Sequence, residues 1–428
     1  MSLYEAADGI LGTHVAWSEV EEEMQKALGT TAAFGDDKKA TNISDMKGFM
    51  SRIALIEPHW VGVSDEEKKE LPEKFVVKIS SQLPFIEMTK LMKMDEENDY
   101  WGDERLNEMG KVTRMLHNRE VDTYTLLLKE NNPKILFTKI YALKKFTEDN
   151  NLKGYIISEF VEDLQSIGMH ESIPADDLLP VVHAVATFSA MGQKLSDEQT
   201  RFAREADFLD IVFGQFLDEN TIEKTEKMSR DCFPEEYTEK VEKMLKINRQ
   251  FYTNIHFLPR LKQTCEFLGH PEVFTHSDLW SSNLLYTRSG EKINLKAIID
   301  YQTVSFATPA QDVGRLFVSC LSTKDRREKV DFLLEEYYKT FVDELDGLEA
   351  PYSLQQLKDS YQLYFPLMTM MVLPGIAPIL EHLDLPAEEK EKLKDAAFDK
   401  MVGLLEDVIT THESSLQKFP KYFEFTQN

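Results

Sequence analysis

The residues of this sequence that are best suited to chemistry are two acids and an amide in its second half. Asp278 is followed five positions later by Asn283, and Asp300 comes directly after the apolar run of residues 295–299. A carboxylate can orient a hydroxyl and accept its proton, while amide and carboxylate oxygens are suitable ligands for Mg2+. Phosphoryl transfer needs these groups from a protein. The three residues are therefore candidate catalytic residues, with Asn283 and Asp300 as the candidate metal ligands.

A short β-hairpin is the element expected to position these side chains. Two strand-like runs, residues 283–286 and 295–299, flank a turn predicted at Ser289-Gly290. His276 precedes the first aspartate in a His-x-Asp pattern, and the spacing of the whole set is that of a kinase catalytic loop and its magnesium ligand. A lone His-x-Asp pattern is weak evidence, since such pairs are often structural. The spaced set is much more specific.

A lysine in the first half supplies the expected complement. Lys78 lies inside the strand-like run of residues 75–79, where an ammonium group facing a cleft needs anionic partners. The α- and β-phosphates of ATP are one such partner, and a glutamate from a helix is the other. We select Glu120 for this role, although Glu108 and Glu130 lie in the same region. The alternative is a lysine that points outward to solvent.

The rest of a nucleotide site is less clearly marked. A loop over the phosphates is expected at residues 44–50, if an earlier strand precedes it, and Gly48 is the only glycine there. Backbone would therefore approach phosphate through Gly48 and small neighbours such as Ser44. Glu159 and Phe160, at the end of the last predicted strand, are the candidate hinge for adenine, and a simple strand end is the alternative.

The predicted elements change character along the chain. Short β-branched runs at residues 51–56, 75–79 and 154–160 predict strands of one sheet, with a helix predicted over residues 105–129. Later helices are predicted at residues 178–195, 198–216, 234–257, 327–345, 353–372 and 387–412. We therefore predict an α+β, protein-kinase-like, two-lobed fold. Residues 1–160 form a small β-rich ATP-binding lobe, and residues 161–428 form a large helical lobe with the catalytic loop and substrate pocket.

These segments resemble the choline-kinase-like and aminoglycoside-phosphotransferase-like small-molecule kinases, and most of all the nematode branch of the CHK kinase-like proteins, which are related to insect ecdysteroid kinases. The resemblance extends over nearly the whole chain and is carried by Lys47-Gly48-Phe49-Met50-Ser51-Arg52-Ile53, Phe75-Val76-Val77-Lys78-Ile79, His117-Asn118-Arg119-Glu120, Asp278-Leu279-Trp280-Ser281-Ser282-Asn283 and Ile299-Asp300-Tyr301-Gln302. It implies phosphorylation of a small-molecule hydroxyl with ATP and Mg2+. In that scheme Asp278 is the base, Asn283 and Asp300 hold the metal, and Lys78 pairs with Glu120.

The sequence departs from the family pattern at one position. The family reads His-Gly-Asp, whereas Ser277 stands here in the middle. If the glycine adopts a backbone conformation that other residues disfavour, the serine costs about 1 kcal/mol or displaces Asp278. A catalytically weak nucleotide-binding or scaffold pseudokinase is therefore the alternative to an enzyme. Downstream, Asp312 is expected to cap a helix and brace the catalytic loop, or to act as an N-cap alone.

Composition limits the partners. The chain has 428 residues and a formal net charge of −26, which disfavours a nucleic acid. Its three cysteines are not closely spaced, which favours reduced thiols. No secretory leader is evident, so we expect a cytoplasmic protein, as a monomer or homodimer. Residues 364–380 are apolar, but three prolines are expected to interrupt them, which argues against a membrane span.

The acceptor is expected to be a small molecule. A protein kinase would show an activation segment ending in Ala-Pro-Glu, and here only a short stretch separates Asp300 from Asp312. The acidic composition favours a cationic alcohol, such as an amino alcohol or an aminated sugar. A steroid or a glucosylated xenobiotic fits the resemblance to the insect proteins equally well, so both kinds of acceptor stay open.

Overall fold

The computed structural model describes residues 2–44, 50–91, 102–165, 167–205, 208–215, 217–290, 292–382 and 386–425. Contacts within the chain divide it into two compact units. The first unit consists of Met1–Asn131 and Phe137–Asp163, and the second consists of Asn132–Leu136 and Leu164–Asn428. The first is built on a sheet and the second is mainly helical, which confirms the predicted α+β class.

An antiparallel five-stranded sheet forms the centre of the first unit. Its strands are β1 (Lys39–Asn42), β2 (Ser51–Glu57), β3 (Phe75–Ser80), β4 (Ile140–Lys144) and β5 (Tyr155–Glu159), in the spatial order β1-β2-β3-β5-β4. The three predicted strands are confirmed. β1 and β4 were not predicted. They are the two edge strands and contain no buried residue, so neither carries a strong apolar pattern.

The helices of the first unit are α1 (Trp17–Leu28), α2 (Asp65–Glu70), α3 (Leu83–Leu91) and α4 (Asp103–Glu130). On β3, Phe75, Val77 and Ile79 are fully buried in one apolar cluster that also includes residues of α1. Successive side chains of a strand point to opposite faces, so Lys78 lies on the other face of the sheet. This alternation decides which side of the sheet carries the lysine.

The second unit contains ten α-helices within the described residues. They are α5 (Ala175–Lys194), α6 (Phe208–Gln215), α7 (Glu219–Asp231), α8 (Thr238–Ile247), α9 (Leu258–Lys262), α10 (Thr264–Leu268), α11 (Ala310–Cys320), α12 (Thr323–Glu344), α13 (Leu354–His382) and α14 (Ala387–Lys418). The longest ones pack in pairs, α5 on α12 and α13 on both α11 and α14. Buried apolar residues of α8, α11, α13 and α14 share one core cluster of this unit.

Two small sheets lie among these helices. One pairs β7 (Val273–Thr275) with β10 (Ser305–Ala307), and the other has the order β6-β8-β9, where the strands are β6 (Leu164–Gln165), β8 (Leu284–Ser289) and β9 (Lys292–Ile298). The predicted hairpin is thus β8 and β9, and its turn contains Gly290 at φ 63°. The strands β6, β7 and β10 were not predicted, because runs of two or three residues show no period.

Two predicted helices are wrong in extent. Residues 198–216 do not form one helix, because a 3-10 turn at Arg201–Arg204 precedes α6. Residues 234–257 are instead a 3-10 turn at Glu235–Tyr237, then α8, then a π-helical turn at Asn248–Tyr252. The apolar period of the sequence continues through both regions. A π-helical turn, however, contains one more residue than an α-helical turn. The turn at residues 248–252 places Phe251 and Tyr252 in the aromatic core.

The three prolines in the apolar stretch do not interrupt its helix. Pro366, Pro374 and Pro378 all lie inside α13, and each removes a backbone hydrogen bond that a helix interior normally makes. Leu367, Met368 and Ile376 of this helix are fully buried, and that burial offsets the loss. Within the described residues, α13 is the one helix with the length and apolar composition to cross a membrane, and 67% of its apolar window is buried inside the protein.

Candidate active site

The catalytic loop predicted from the sequence begins where β7 ends. His276, the first loop residue, is 1% exposed, and its Nε2 donates to the backbone oxygen of Ile299 at 3.0 Å. Its Nδ1 accepts from the backbone N–H of Asp278 at 3.3 Å, and its ring lies 4.8 Å from that of Tyr301. Both imidazole nitrogens are therefore used inside the loop. His276 holds the loop against the end of β9 and is a structural residue.

Asp278 is held from both sides by side chains of the second unit. Arg315, on α11, places a guanidinium nitrogen 3.2 Å from one carboxylate oxygen, and the two side chains are 11% and 16% exposed. The amide nitrogen of Asn283 donates to the backbone oxygen of Asp278 at 2.8 Å and lies 3.3 Å from the other carboxylate oxygen. These contacts restrict the rotamer of Asp278, so its carboxylate has a defined direction.

The hairpin register brings Asp300 to the same end of the sheet as Asn283. Leu284 of β8 pairs with Ile298 of β9, and the backbone N–H of Ile299 donates to the oxygen of Asn283 at 3.0 Å. Asp300 follows at φ 68°, a left-handed conformation that turns the chain sharply as the strand ends. The structure therefore brings Asp278, Asn283 and Asp300 together at one end of the hairpin.

The donor set at this end fits a magnesium ion that is shared with a phosphate ligand. Because the Nδ2 of Asn283 donates to Asp278, the Oδ1 of Asn283 is the atom left for a cation. Among the described residues there is no group of three or more His, Cys, Asp and Glu side chains that could hold a metal alone. Magnesium usually takes one or two protein oxygens together with waters and substrate phosphates, so the pair Asn283 and Asp300 is sufficient.

Asp312 braces the catalytic loop from the first turn of α11. Its carboxylate accepts the backbone N–H groups of His276 at 2.8 Å and of Ser277 at 2.7 Å. Pro309 occupies the N-cap position of this helix, so Asp312 is not its N-cap. Burial raises the pKa of this carboxyl, and the two N–H donors and Arg315 oppose that effect. Of the two roles expected from the sequence, the brace is the one that the structure contains.

Ser277 has the backbone conformation that favours glycine. Its φ is 67°, in the left-handed region that costs most residues about 1 kcal/mol. The hydroxyl is fully buried and shares hydrogen bonds with Thr275 Oγ1 at 2.7 Å and Ser305 Oγ at 2.8 Å. A buried hydrogen bond contributes about 0.5–1.5 kcal/mol, so these contacts offset the strain. The serine is therefore compatible with an ordered catalytic loop.

Substitutions at Ser277 test this compensation. Ser277→Ala retains the strained backbone and loses both hydrogen bonds, so we expect it to lower the free energy of unfolding by about 1–3 kcal/mol. Ser277→Gly loses the same bonds but removes the strain, and should be more stable than the alanine variant by about 1 kcal/mol. Urea unfolding followed by circular dichroism measures both. Equal stability of the two variants would contradict the role assigned to the backbone strain.

In the first unit, Lys78 and Glu120 form the predicted ion pair. The Lys78 Nζ donates to both carboxylate oxygens of Glu120, at 2.7 and 2.9 Å. The Glu120 side chain is 2% exposed, whereas that of Lys78 is 19% exposed. The lysine thus stays partly accessible while it neutralises a buried carboxylate. Of the three glutamates considered on α4, the structure selects Glu120.

The other predicted nucleotide contacts are less developed. Gly48 lies outside the described residues. Ser44 follows β1, the earlier strand that this loop required, but its hydroxyl donates to Asn42 Oδ1 at 2.6 Å and accepts from the N–H of Ile53 at 3.0 Å. It therefore already has two partners within the β1–β2 connection. A phosphate role for Ser44 and Gly48 stays a prediction.

The predicted adenine hinge lies at the end of β5. The N–H of Glu159 donates to the backbone oxygen of Lys139 at 2.9 Å, and its carboxylate accepts the N–H of the same residue at 2.8 Å. Phe160 is half-buried, with the Lys74 ammonium 6.0 Å from the centre of its ring. Glu159 is thus bound to Lys139, the residue before β4, and adenine recognition by this segment stays a prediction.

His117 adds a titrating group next to the ion pair. It is 1% exposed, its Nε2 donates to the backbone oxygen of Lys144 at 2.7 Å, and its ring packs on Phe146 at 5.1 Å. Burial, together with the charges of Lys78 and Lys145, lowers its pKa to about 4. The folded protein therefore keeps this imidazole neutral at a pH where an exposed histidine is protonated.

The lowered pKa of His117 predicts a pH dependence of stability. Between pH 6.5 and about 4 the unfolded chain binds a proton that the folded chain excludes, so the free energy of unfolding falls as the pH falls. The contribution is about 3 kcal/mol across that window. We expect His117→Gln to flatten urea-unfolding stability plotted against pH, although His412, whose pKa burial also lowers to about 4, retains part of the slope. An unchanged slope would contradict the assignment, and His183→Gln, at a half-exposed site, is the control.

The sequence profile of the DUF1679 family, described as "Uncharacterized oxidoreductase dhs-27", matches residues 3–416. The chain belongs to the DUF1679 family. Two Caenorhabditis elegans proteins are similar to it. "Uncharacterized kinase-like protein D1044.1" is 26% identical over 267 residues, which cover 61% of this chain and 67% of that protein. "Uncharacterized oxidoreductase dhs-27" is 26% identical over 300 residues, which cover 68% of this chain but only 33% of that protein.

Solved structures of small-molecule kinases are also similar to this family member. The choline kinase from Cryptosporidium parvum Iowa II is 12% identical with a TM-score of 0.40, and the match covers 89% of this chain and 90% of the kinase. The Plasmodium vivax ethanolamine kinase is 15% identical with a TM-score of 0.39, over 86% of this chain and 82% of the kinase.

Three residues of these sites were not assigned a role from the sequence. Arg315 was noted only as part of the segment around Asp312, and His117 and Asn118 only as neighbours of Glu120. The contacts of Arg315 with Asp278 and of His117 with Lys144 connect residues 37 and 27 positions apart. No local spacing indicates such partners. The sequence signal was the presence of polar side chains on predicted amphipathic helices, which solvent exposure explains equally well.

Proposed function

We propose that this DUF1679 protein is an ATP-dependent phosphotransferase that phosphorylates a hydroxyl group of a small molecule. The observation that supports this proposal most is the arrangement of Asp278 with Asn283 and Asp300 at the end of the β8–β9 hairpin. The amide fixes the loop through the backbone of the aspartate, and its own oxygen is left for a cation. A hairpin with a purely structural role needs none of these three side chains.

Asp278 is the proposed base. In the transfer, the acceptor oxygen forms a bond to the γ-phosphorus, the bond from that phosphorus to the β,γ-bridging oxygen breaks, and ADP leaves. The proton of the acceptor hydroxyl passes to the Asp278 carboxylate. Arg315 and Asn283 hold this carboxylate in one direction. Arg315 and Asn283 therefore help the transfer by fixing the direction of the Asp278 carboxylate, which orients the acceptor hydroxyl. They do not strongly activate that hydroxyl themselves.

Magnesium and the nucleotide phosphates are the proposed ligands of the remaining polar groups. Asn283 and Asp300 would hold the magnesium ion, which neutralises phosphate charge when it is bound. In the first unit, the Lys78 ammonium would bind the α- and β-phosphates while Glu120 keeps it in place. Lys78 keeps 19% of its side chain exposed, so it can contact a ligand without leaving the glutamate.

The acceptor is proposed only as a class. Choline kinase and ethanolamine kinase are names of structurally similar proteins, and an amino alcohol or aminated sugar also suits the acidic composition of this chain. Steroids and glucosylated xenobiotics are the other acceptors to be tested. The word oxidoreductase occurs both in the description of the family and in the name of a relative of which this chain matches about a third. The polar groups described above suit phosphoryl transfer better.

The alternative function is a pseudokinase that binds nucleotide without turnover. Ser277 favours it, because a residue with a strained backbone lies next to the proposed base, and the glycine-poor loop expected at residues 44–50 is also compatible with it. Magnesium-dependent ATP binding does not separate the two functions. ADP formation does, when it is measured by a coupled assay across amino alcohols, aminoglycosides, sterols and glucosides. An acceptor that raises ADP formation well above the acceptor-free rate supports the enzyme, and ATP binding without any such acceptor favours the pseudokinase.

A further inference from the structure

The helix α4 is tied to the sheet of the first unit by side chains that the proposed chemistry does not use. Asn118 Nδ2 donates to the backbone oxygen of Phe146 at 3.0 Å, and Asn118 Oδ1 accepts the N–H of the same residue at 2.9 Å. Both ends of one side-chain amide thus bind both polar groups of one backbone residue. The Asn118 amide therefore makes the two hydrogen bonds that a backbone residue of a neighbouring strand would otherwise make with Phe146.

Two further contacts strengthen this attachment. His117 donates to the backbone oxygen of Lys144, the last residue of β4, at 2.7 Å. One turn earlier on α4, Arg114 Nε donates to the backbone oxygen of Asn151 at 2.7 Å. Three residues on one stretch of α4 therefore bind the end of β4 and the β4–β5 connection, residues 145–154. We call this set of contacts the α4 anchor.

A glycine in the β4–β5 connection, Gly154, provides the space that the anchor needs. A Cβ atom at Gly154 would lie 2.4 Å from the Phe146 ring and 2.7 Å from Cδ2 of His117. Only glycine permits that approach without displacing one of the rings. The connection also has its own support, because Asn150 donates to the backbone oxygens of Lys145 and Lys153. The anchor therefore binds a part of the chain that is already ordered.

The anchor lies next to the ion pair in both sequence and space. Glu120 is two residues after Asn118 and three after His117 on the same helix. Lys78 lies on β3, which pairs with β5, and β5 pairs with β4. Because α4 is fixed to the β4–β5 connection, its distance from β3 is fixed as well. In kinases the position of the helix that carries this glutamate decides whether the lysine pair forms.

We infer that His117 and Asn118 are positioning residues, which hold α4 so that Glu120 pairs with Lys78 before any nucleotide binds. This inference rests on the proposed role of Lys78 as a phosphate ligand. The anchor spares nucleotide binding the cost of moving the helix, because the pair already exists in the chain without ligand. The two residues act through Glu120 and Lys78 and contact no substrate themselves.

A double-mutant cycle tests the inference. Asn118→Leu removes both hydrogen bonds at similar side-chain volume. We expect it to weaken binding of the β,γ-imido analogue of ATP by about tenfold, measured by calorimetry with magnesium, in the chain that retains Lys78. In a Lys78→Met background the same substitution should weaken binding less than about twofold, because the group that the anchor positions is gone.

The matched control is Asn150→Leu. It also loses two hydrogen bonds in the β4–β5 connection, but these bonds are made to Lys145 and Lys153 and not to α4, so it should lower thermal stability and leave binding of the analogue unchanged. If the Asn118→Leu variant does not fold, Gly154→Ala takes its place in the cycle. The added methyl group would overlap the His117 ring and displace it.

Three results would overturn the inference: equal weakening by Asn118→Leu in both backgrounds, no weakening in either, or weakening by Asn150→Leu of the same size. A different result would count against the proposed function. If Lys78→Met alone binds the analogue as tightly as the unmodified chain does, the phosphate role of Lys78 fails, whatever the anchor does.

Discussion

Asp278→Asn is expected to abolish most turnover and leave nucleotide binding unchanged. The amide keeps the shape of the side chain but cannot accept the proton of the acceptor hydroxyl, and a positioned general base contributes about 10²- to 10⁴-fold to a rate. We therefore expect kcat to fall by at least about 100-fold. The dissociation constant of the β,γ-imido analogue should change less than about threefold, because this carboxylate is not among the proposed phosphate contacts. Coupled ADP release and calorimetry measure the two quantities.

The control for this substitution is Asp197→Asn. Asp197 also forms a single ion pair with an arginine in the second unit, at 3.2 Å to Arg204, but its side chain is 95% exposed. Its loss should affect neither turnover nor binding. Equal turnover of Asp278→Asn and the unmodified protein would remove Asp278 from the role of base, even if ATP still binds.

Lys78→Met is expected to give the largest loss of stability among single substitutions at the proposed site. It leaves the Glu120 carboxylate, which is 2% exposed, without the ammonium that binds both its oxygens. Removal of one partner of a buried ion pair typically costs about 3–5 kcal/mol. The double variant Lys78→Met with Glu120→Leu should recover most of that loss, because the buried carboxylate of Glu120 is removed together with its partner. Urea unfolding of the four chains in this cycle measures the effect.

Lys153→Met provides the comparison for the ion pair. Lys153 binds Glu19 at 2.9 Å in the same unit, but the two side chains are 38% and 30% exposed, and such pairs contribute about 0–1 kcal/mol. If Lys78→Met and Lys153→Met lose the same stability, burial does not control the strength of the Lys78 pair. In that case we also expect the double variant Lys78→Met with Glu120→Leu to be no more stable than Lys78→Met alone.

The pairing of Lys78 with Glu120 shows how far sequence patterns reach. The alternation along β3 predicts that Lys78 and Val77 lie on opposite faces, and the spacing on α4 restricts its partner to a few glutamates. The choice among them depends on how the helix is placed over the sheet. That placement is decided by Asn118 and His117, through backbone groups about 28 and 27 residues further along the chain.

The helical unit shows the same division at the level of elements. Long amphipathic stretches such as α12 and α14 are predicted well, because their apolar period is set by local geometry. The prolines of α13 were expected to interrupt its apolar stretch, and only the packing against α11 and α14 explains why the helix continues through them. Short strands such as β7 and β10 exist because they pair with each other, so neither has a pattern of its own.

The sequence by itself determined the hairpin that carries the proposed catalytic residues of this protein. Asn283 and Asp300 flank one hairpin, and Asp278 lies five residues before Asn283, so their spacing along the chain almost defines their spacing in space. Only the tertiary structure decided what holds them and how. Arg315 and Asp312 reach the loop from α11, and the left-handed backbone of Ser277 is stabilised by hydroxyls of two paired strands. Contacts of that kind depend on the packing of distant elements, and residue spacing carries no record of them.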